Sequence, residues 1–235
     1  MERKNSRRNN ELRPVQIQTG IQKDPDGSVL ISYGETKIIC CATIENKTPS
    51  WSSDSSKGWI TAEYNMLPGS TGSRSPRVRK GRNEEIQRLI GRSLRASIDL
   101  TALGPRTITI DCDVLVADAG TRTASITGGF VALCLAIQKL IFTGKLELNP
   151  VIHNVVSVSC ALCDGEIIVD PDYSEDSKAQ VDMNFVIAGN GEFIEIQGTG
   201  EKSTFNDSQL LEMISYAKEA GRQLMEIQDQ VIKLL

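Results

Sequence analysis

Three stretches of this chain carry side chains whose types and spacing suit chemistry on anions. The first is "DAGTRTAS", residues 118–125, set between the alternating run "RTITIDCDVLVA" and the apolar run "ITGGFVALCLAIQKLIF". A strand that ends in a glycine turn and starts a helix leaves free backbone N–H groups and a partial positive charge at that start. Gly120 lets the backbone come close to a ligand, Thr121, Thr123 and Ser125 offer hydroxyl donors, and Arg122 can grip an oxyanion with two parallel hydrogen bonds. Together they make a phosphate cradle. The plainer alternative is a helix capped by Thr and Ser, with Arg122 solvated.

The second stretch, residues 74–95, holds eight Lys or Arg against two Glu. Arg74, Arg77, Arg79, Lys80 and Arg82 have the charge to neutralise a phosphodiester backbone; alternatively they belong to a solvated loop ahead of an ordinary amphipathic helix. The third is "DPDYSEDSKAQVDMNFV". Here Asp176 is expected in a loop, and Asp182 on the polar face of a strand with Gln180 and Asn184. Asp170, Asp172 and Glu175 crowd the same approach. Asp176 and Asp182 suit a hard divalent ion such as Mg²⁺, with waters and phosphate completing its shell; the alternative is a solvated pair.

Other chemistries lack their residues. The single histidine, His153, has no nucleophile elbow near it, and neither a Walker P-loop nor a dinucleotide fingerprint is present. Cys160 and Cys163 have CxxC spacing, but "VVSVSCALC" alternates as a strand does, and three residues along a strand reverses the face. With no second CxxC or His partner, a zinc site is disfavoured.

The elements that position these residues follow from periodicity. Residues 28–45 read as two strands about a turn at Gly34-Glu35, and "GWITAEYNMLPGS" as a short strand stopped by Pro68. Residues 70–82 read as a loop, with Asn83 capping the helix that follows. On that helix Ile86, Leu89, Ile90, Leu94 and Ile98 form one stripe, and Arg88, Arg92 and Arg95 another. Gly128 and Gly129 inside the next helix each cost ~1 kcal/mol relative to Ala, which close packing on a sheet would justify. Asp164-Gly165 and Asn190-Gly191 mark two hairpins, and a long amphipathic helix runs from about Asp207. Strand pairs alternating with long helices indicate one α+β domain spanning residues 1–235, with residues 1–14 as a basic tail free to move.

The chain is 40% hydrophobic and 24% charged, with formal net charge −4, so any polyanion must be met by a local basic patch. No run approaches the ~18 consecutive apolar residues of a membrane span, and the N-terminus lacks the apolar region of a secretory signal. The expectation is a cytoplasmic protein whose six cysteines are free.

Taken in order, "LRPVQI", "GSVLISYGETKIICCATIE", "GWITAEYNMLP", "EIQRLIGRSLRASIDL", "TITIDCDVLVADAGTRTASITG", "EDSKAQVDMNFV" and "EIQGTGE" resemble the ribonuclease PH family over nearly the whole chain. The resemblance implies a ribosomal-S5 domain-2-like fold of βαβα units and a homohexameric ring, a trimer of dimers. It implies a phosphorolytic 3′→5′ exoribonuclease that trims the 3′ end of precursor tRNA with inorganic phosphate and releases nucleoside diphosphates. By resemblance, phosphate binding falls to Arg82, Gly120, Thr121 and Arg122, RNA binding to Arg74 and Arg77, and the catalytic, Mg²⁺-dependent centre to Asp176 and Asp182. Where the family usually reads "LPRSTHTR" this chain reads "LPGSTGSR", and the segment between Arg77 and Arg82 is shorter than usual, so the loop carries fewer cations. A hydrolytic nuclease using the Asp pair, and an inert RNA-binding ring subunit, are the rival readings.

Overall fold

A computed structural model of the chain describes residues 3–52, 54–77 and 81–233; Arg79 and Lys80, in the basic stretch, lie outside them. Two sheets form the frame. The first comprises β1 (Val15–Thr19), β2 (Gly27–Tyr33), β3 (Thr36–Glu45), β4 (Trp59–Met66) and β5 (Thr107–Val116), in the order β1-β2-β3-β5-β4. Its pairings are antiparallel except β4 with β5, which is parallel. The second comprises β6 (Val155–Cys163), β7 (Glu166–Val169), β8 (Val181–Ala188) and β9 (Phe193–Gly200), antiparallel in the order β7-β6-β8-β9. The Asp164-Gly165 tip has both residues at positive φ (50° and 81°), as a two-residue type I′ turn requires.

Among the described residues there are, besides a 3-10 turn at Lys4–Ser6, five α-helices: α1 (Gly81–Arg95), α2 (Leu100–Leu103), α3 (Thr121–Phe142), α4 (Tyr173–Asp176) and α5 (Asp207–Lys233). The α3 helix lies between the sheets, packed on β2, β3 and β5 on one side and on β6 on the other. Tyr33 of β2 donates its hydroxyl to Thr127 of α3 (2.9 Å), and Thr127 Oγ1 accepts the Ser157 N–H of β6 (3.0 Å), so one polar chain crosses the core. By length and composition α3 is apolar enough to span a bilayer, with mean hydropathy 1.7 over an 18-residue window, yet 72% of that window is buried inside the protein. A helix that is apolar all round is what a position between two sheets demands.

The glycine pair marks the tightest approach. A Cβ on Gly128 would sit 2.6 Å from Ile31 Cγ2, and one on Gly129 would sit 3.2 Å from Ile110 Cγ2, so β2 and β5 press directly on the helix backbone. One continuous apolar core joins both sheets, α1, α3 and α5. Ile86, Leu89, Ile90 and Leu94 are buried as the stripe on α1 implies; Ile98 is buried too, but beyond the end of α1, in a bridge with Val151, and Leu211 on α5 points out to solvent. All six cysteines are buried and free. Cys160 belongs to the main core and Cys163 to a small cluster with Ala161, Ile168 and Ala179, on opposite faces of β6.

Three expectations are corrected. The first concerns Asn83, which is the third residue of α1 rather than its cap; its amide donates to Tyr64 O (3.2 Å), and Arg82 sits in the first helical turn instead of the loop. Asp176 ends the short helix α4, which begins with an Asp172 capping box, rather than lying in a loop. The basic N-terminus is no free tail from residue 3 onward: Arg3, Arg7 and Arg13 are buried and ion-paired to Glu175 and Asp170.

Candidate active site

The three stretches meet at one cavity of about 170 Å³. Arg82 enters it from α1, Gly120, Thr121 and Arg122 from the start of α3, Asp176 from the end of α4, and Asp182 with Asn184 from β8. Neighbours in this arrangement come from both sheets, so the cavity sits where the two halves of the fold abut.

The start of α3 is shaped by two successive left-handed residues, Ala119 (φ 59°) and Gly120 (φ 65°). Gly120 has no side chain to cap the helix, and the first helical bond runs from Ala124 N–H to Gly120 O (3.0 Å). The N–H groups of Thr121, Arg122 and Thr123 precede that bond, which is the arrangement that attracts anions. The surroundings of Gly120 are also tight: a Cβ there would lie 3.0 Å from Arg13 Nη2. Of the three hydroxyls read as donors, only Thr121 lines the cavity, where its Oγ1 accepts from Tyr64 (2.9 Å). Thr123 Oγ1 turns back to Gly120 O (2.9 Å), and Ser125, one turn further into the helix, is fully buried.

Arg122 is held before any ligand arrives. Its Nη1 donates to Gln197 Oε1 (3.2 Å) and lies 3.6 Å from Glu85 Oε1. Gln197 in turn donates to Glu195 (3.1 Å), and Glu195 is gripped by Arg92 through two 2.7 Å bonds. An arginine of the α1 stripe thus steadies, through β9, the arginine at the helix start.

Opposite stand the carboxylates. Burial, and then the charge of Asp176, push Asp182 up to about 6, against the opposing pull of Arg122 and of the Asn184 amide. Burial also raises Asp176, with Glu201 adding to it and Arg82 and Arg122 opposing. Asn184 links the pair to β6: its Nδ2 donates to Asp182 Oδ2 (3.3 Å) while its Oδ1 accepts from Ser159 (2.9 Å). Two neighbouring, partly buried carboxylates whose pKa values are both raised make a place where a cation or a proton is stabilised. Oxygen-only donors fit a hard ion such as Mg²⁺, with water and substrate supplying its remaining ligands. Among the described residues no group of three or more His, Cys, Asp or Glu is placed to hold a metal.

The other acids of this stretch do structural work. Asp170 accepts from the backbone N–H and guanidinium of Arg13, Glu175 pairs with Arg3 and Arg7, and Asp172 caps α4. Arg74 and Arg77 are exposed and do not line the cavity; Arg77 instead acts on Asp113, whose pKa burial raises and Arg77 partly restores. Asn184 was legible only as part of the Gln180-Asp182-Asn184 alternation, Ser159 and Tyr173 gave no signal, and both line the cavity.

Residues 11–137 match domain 1, and residues 153–220 domain 2, of the 3′ exoribonuclease family, RNase PH. The chain belongs to that family. Among its relatives, ribonuclease PH of Corynebacterium kroppenstedtii is 49% identical over 94% of this chain and 89% of its own. Ribonuclease PH of Syntrophomonas wolfei is 48% identical over 99% of each. The fold is also that of a solved structure described as the Archaeoglobus fulgidus exosome with RNA bound to the active site, at TM-score 0.82 and 20% identity over 96% of this chain and 92% of that one. The two RNase PH family segments correspond to the first sheet with most of α3, and to the second sheet with much of α5, so the cavity lies at their junction.

Proposed function

We propose that the protein is a phosphorolytic 3′→5′ exoribonuclease that removes 3′-terminal nucleotides from precursor tRNA and releases nucleoside diphosphates. The observation that carries this reading is the meeting, at one cavity, of Arg82, Arg122 and the open start of α3 with Asp176 and Asp182. In the reaction an oxygen of inorganic phosphate attacks the phosphorus of the last phosphodiester. The bond from that phosphorus to the 3′ oxygen of the preceding nucleotide breaks, and that oxygen takes up a proton.

No protein nucleophile is needed, which fits a chain with one histidine. The obstacle is charge: two like unit charges ~4 Å apart repel by ~4 kcal/mol at a surface-like dielectric. Arg82, Arg122 and the N–H groups at the start of α3 offset that repulsion, and they favour the charge spread of an in-line transition state. Asp176 and Asp182 would hold Mg²⁺, which when bound supplies positive charge to the phosphate oxygens. In its protonated form Asp182 is alternatively suited to give the leaving 3′ oxygen its proton. Arg74 and Arg77, set apart from the cavity, would hold the RNA backbone. Family likeness supports a homohexameric ring, a trimer of dimers, as the assembly.

Incubating the protein with a short RNA, with and without inorganic phosphate, tests the reading. Shortening that requires phosphate and yields nucleoside diphosphates is expected. Monophosphate release in phosphate-free buffer would instead assign a hydrolytic nuclease, and no shortening an inert RNA-binding subunit.

A further inference from the structure

The buried N-terminal arginines have no part in the reaction as derived above, yet they converge on the backs of both walls of the cavity. We infer that Arg13 is a positioning residue for phosphate, fixing the left-handed turn 118–120 from beneath; this rests on the reading under Proposed function.

The turn is held in a conformation it would not adopt unaided. A left-handed backbone at a non-glycine residue is strained and persists only where its surroundings over-determine it. Ala119 is such a residue, directly before Gly120. Asp170, at φ 48°, is another, and it is almost wholly buried. Arg13 joins the two. Its backbone N–H and Nε donate to Asp170 Oδ2 (2.9 and 3.0 Å) and its Nη2 to Asp170 Oδ1 (2.6 Å). The remaining nitrogen, Nη1, donates to Asp118 O and lies 3.8 Å from Asp118 Oδ2. The same guanidinium lies beside Gly120, where a Cβ would meet Nη2 at 3.0 Å. Room for Arg13 itself is made by Gly34, where a Cβ would fall 2.8 Å from Arg13 Cδ.

Thr36 closes the turn from the other side. Its hydroxyl donates to Ala119 O (2.7 Å) and accepts the Asp118 N–H (2.9 Å). Asp118 Oδ1 then accepts the Tyr173 N–H (3.0 Å) at the start of α4. Since α4 ends in Asp176, and its Glu175 is gripped by Arg3 and Arg7, the phosphate wall and the acidic wall share one buried support. A planar fork with several fixed donors can bridge two anchors; an ammonium is a single point charge. Arg13 is therefore a geometric part, beyond its role as the counter-charge of Asp170.

Arg13→Lys separates these roles, because lysine keeps a charge beside Asp170 but cannot also reach Asp118. We expect it to remain folded, to raise KM for inorganic phosphate at least tenfold, and to leave KM for RNA within twofold. A folded Arg13→Lys protein with phosphate KM within twofold of the parent would overturn the inference, since charge alone would then suffice. Should that variant not fold, Thr36→Val loosens the same turn from its other side at nearly constant volume; a several-fold rise in phosphate KM is expected, and no change overturns the inference. Amide hydrogen exchange reads the turn without any turnover. In phosphate-free protein the Asp118 and Tyr173 amides should exchange slowly, and at least tenfold faster in either variant. Fast exchange in the parent protein, or no acceleration in a folded variant, contradicts positioning even if activity is lost. If the exchange results are as expected but the parent enzyme ignores phosphate, the phosphorolytic reading fails and the positioning of the turn stands.

Discussion

The wall formed by the start of α3 and the loop carrying Arg74 and Arg77 are both arginine-bearing, but they are built in opposite ways. The first rests on buried ion pairs, a doubly left-handed turn and a core helix, and its Arg122 is already hydrogen-bonded to Gln197. In the second, Arg74 and Arg77 are exposed, and Gly69 and Gly72 have open space where a side chain would stand. Preorganised donors serve a small ion whose charge must be met at fixed points, at no reorganisation cost during reaction. Exposed arginines serve a long polyanion that can be gripped in many registers, and each is worth little alone. On the proposed reading, the wall would carry the chemistry and the loop the affinity.

The sharpest way to break that contrast is at Arg122. Arg122→Ala should lower phosphate-dependent turnover by about 10³-fold while circular dichroism shows an intact fold; near-normal turnover would remove the wall from the chemistry. Asp182→Asn comes next. A loss of about 10²-fold in kcat is expected, with RNA affinity measured by filter binding changed less than threefold; a loss confined to affinity would make Asp182 a mere contact. The same variant should gain stability. Burial and Asp176 hold the Asp182 pKa in the folded protein at about 6, above its ordinary 3.8. The folded state therefore binds the extra proton, and stability from this group is fully present below 3.8 and is lost as pH rises through about 6. At pH 7 the substitution relieves a penalty on the order of 3 kcal/mol, or roughly 9 °C in Tm by calorimetry.

The pH profile sharpens the role of the pair. A carboxylate that holds a cation must be ionised, so activity should rise through about pH 6, the position of Asp182, and the midpoint should move lower as Mg²⁺ is raised. Activity falling through the same region would assign Asp182 to proton donation. The smallest effect belongs to the loop. Arg74→Ala should weaken RNA binding only a few-fold and flatten its salt dependence by about one unit of slope, with kcat unchanged; an unchanged slope would separate Arg74 from the RNA.

How much of this was legible beforehand follows the same division between local and long-range causes. The turns at Asp164-Gly165 and Asn190-Gly191, the packing glycines of α3 and the strand-to-helix junction at Gly120 are written in neighbouring residues, and the structure places them as the local chemistry requires. The buried support was not legible. Arg3 meets Glu175 across 172 residues and Arg13 meets Asp170 across 157, and no periodicity links partners so far apart. Consequently Asp170, Asp172 and Glu175 read as members of an acidic site, whereas only Asp176 of that cluster reaches the cavity. Glycine and cations obscure the start of α1, so local sequence puts Arg82 in the loop although it belongs to the first helical turn. The three hydroxyls of "GTRTAS" looked equivalent because their orientation depends on the turn of a helix whose first residue was not fixed.

Phosphorolysis depends on oxyanion capture at the start of α3, and a crystal of the protein soaked in inorganic phosphate reads it out. The expected result is density for a tetrahedral anion against the N–H groups that open α3, with the guanidinium groups of Arg122 and Arg82 turned toward it. A well-ordered cavity that stays free of the anion at saturating phosphate would rule out oxyanion capture there.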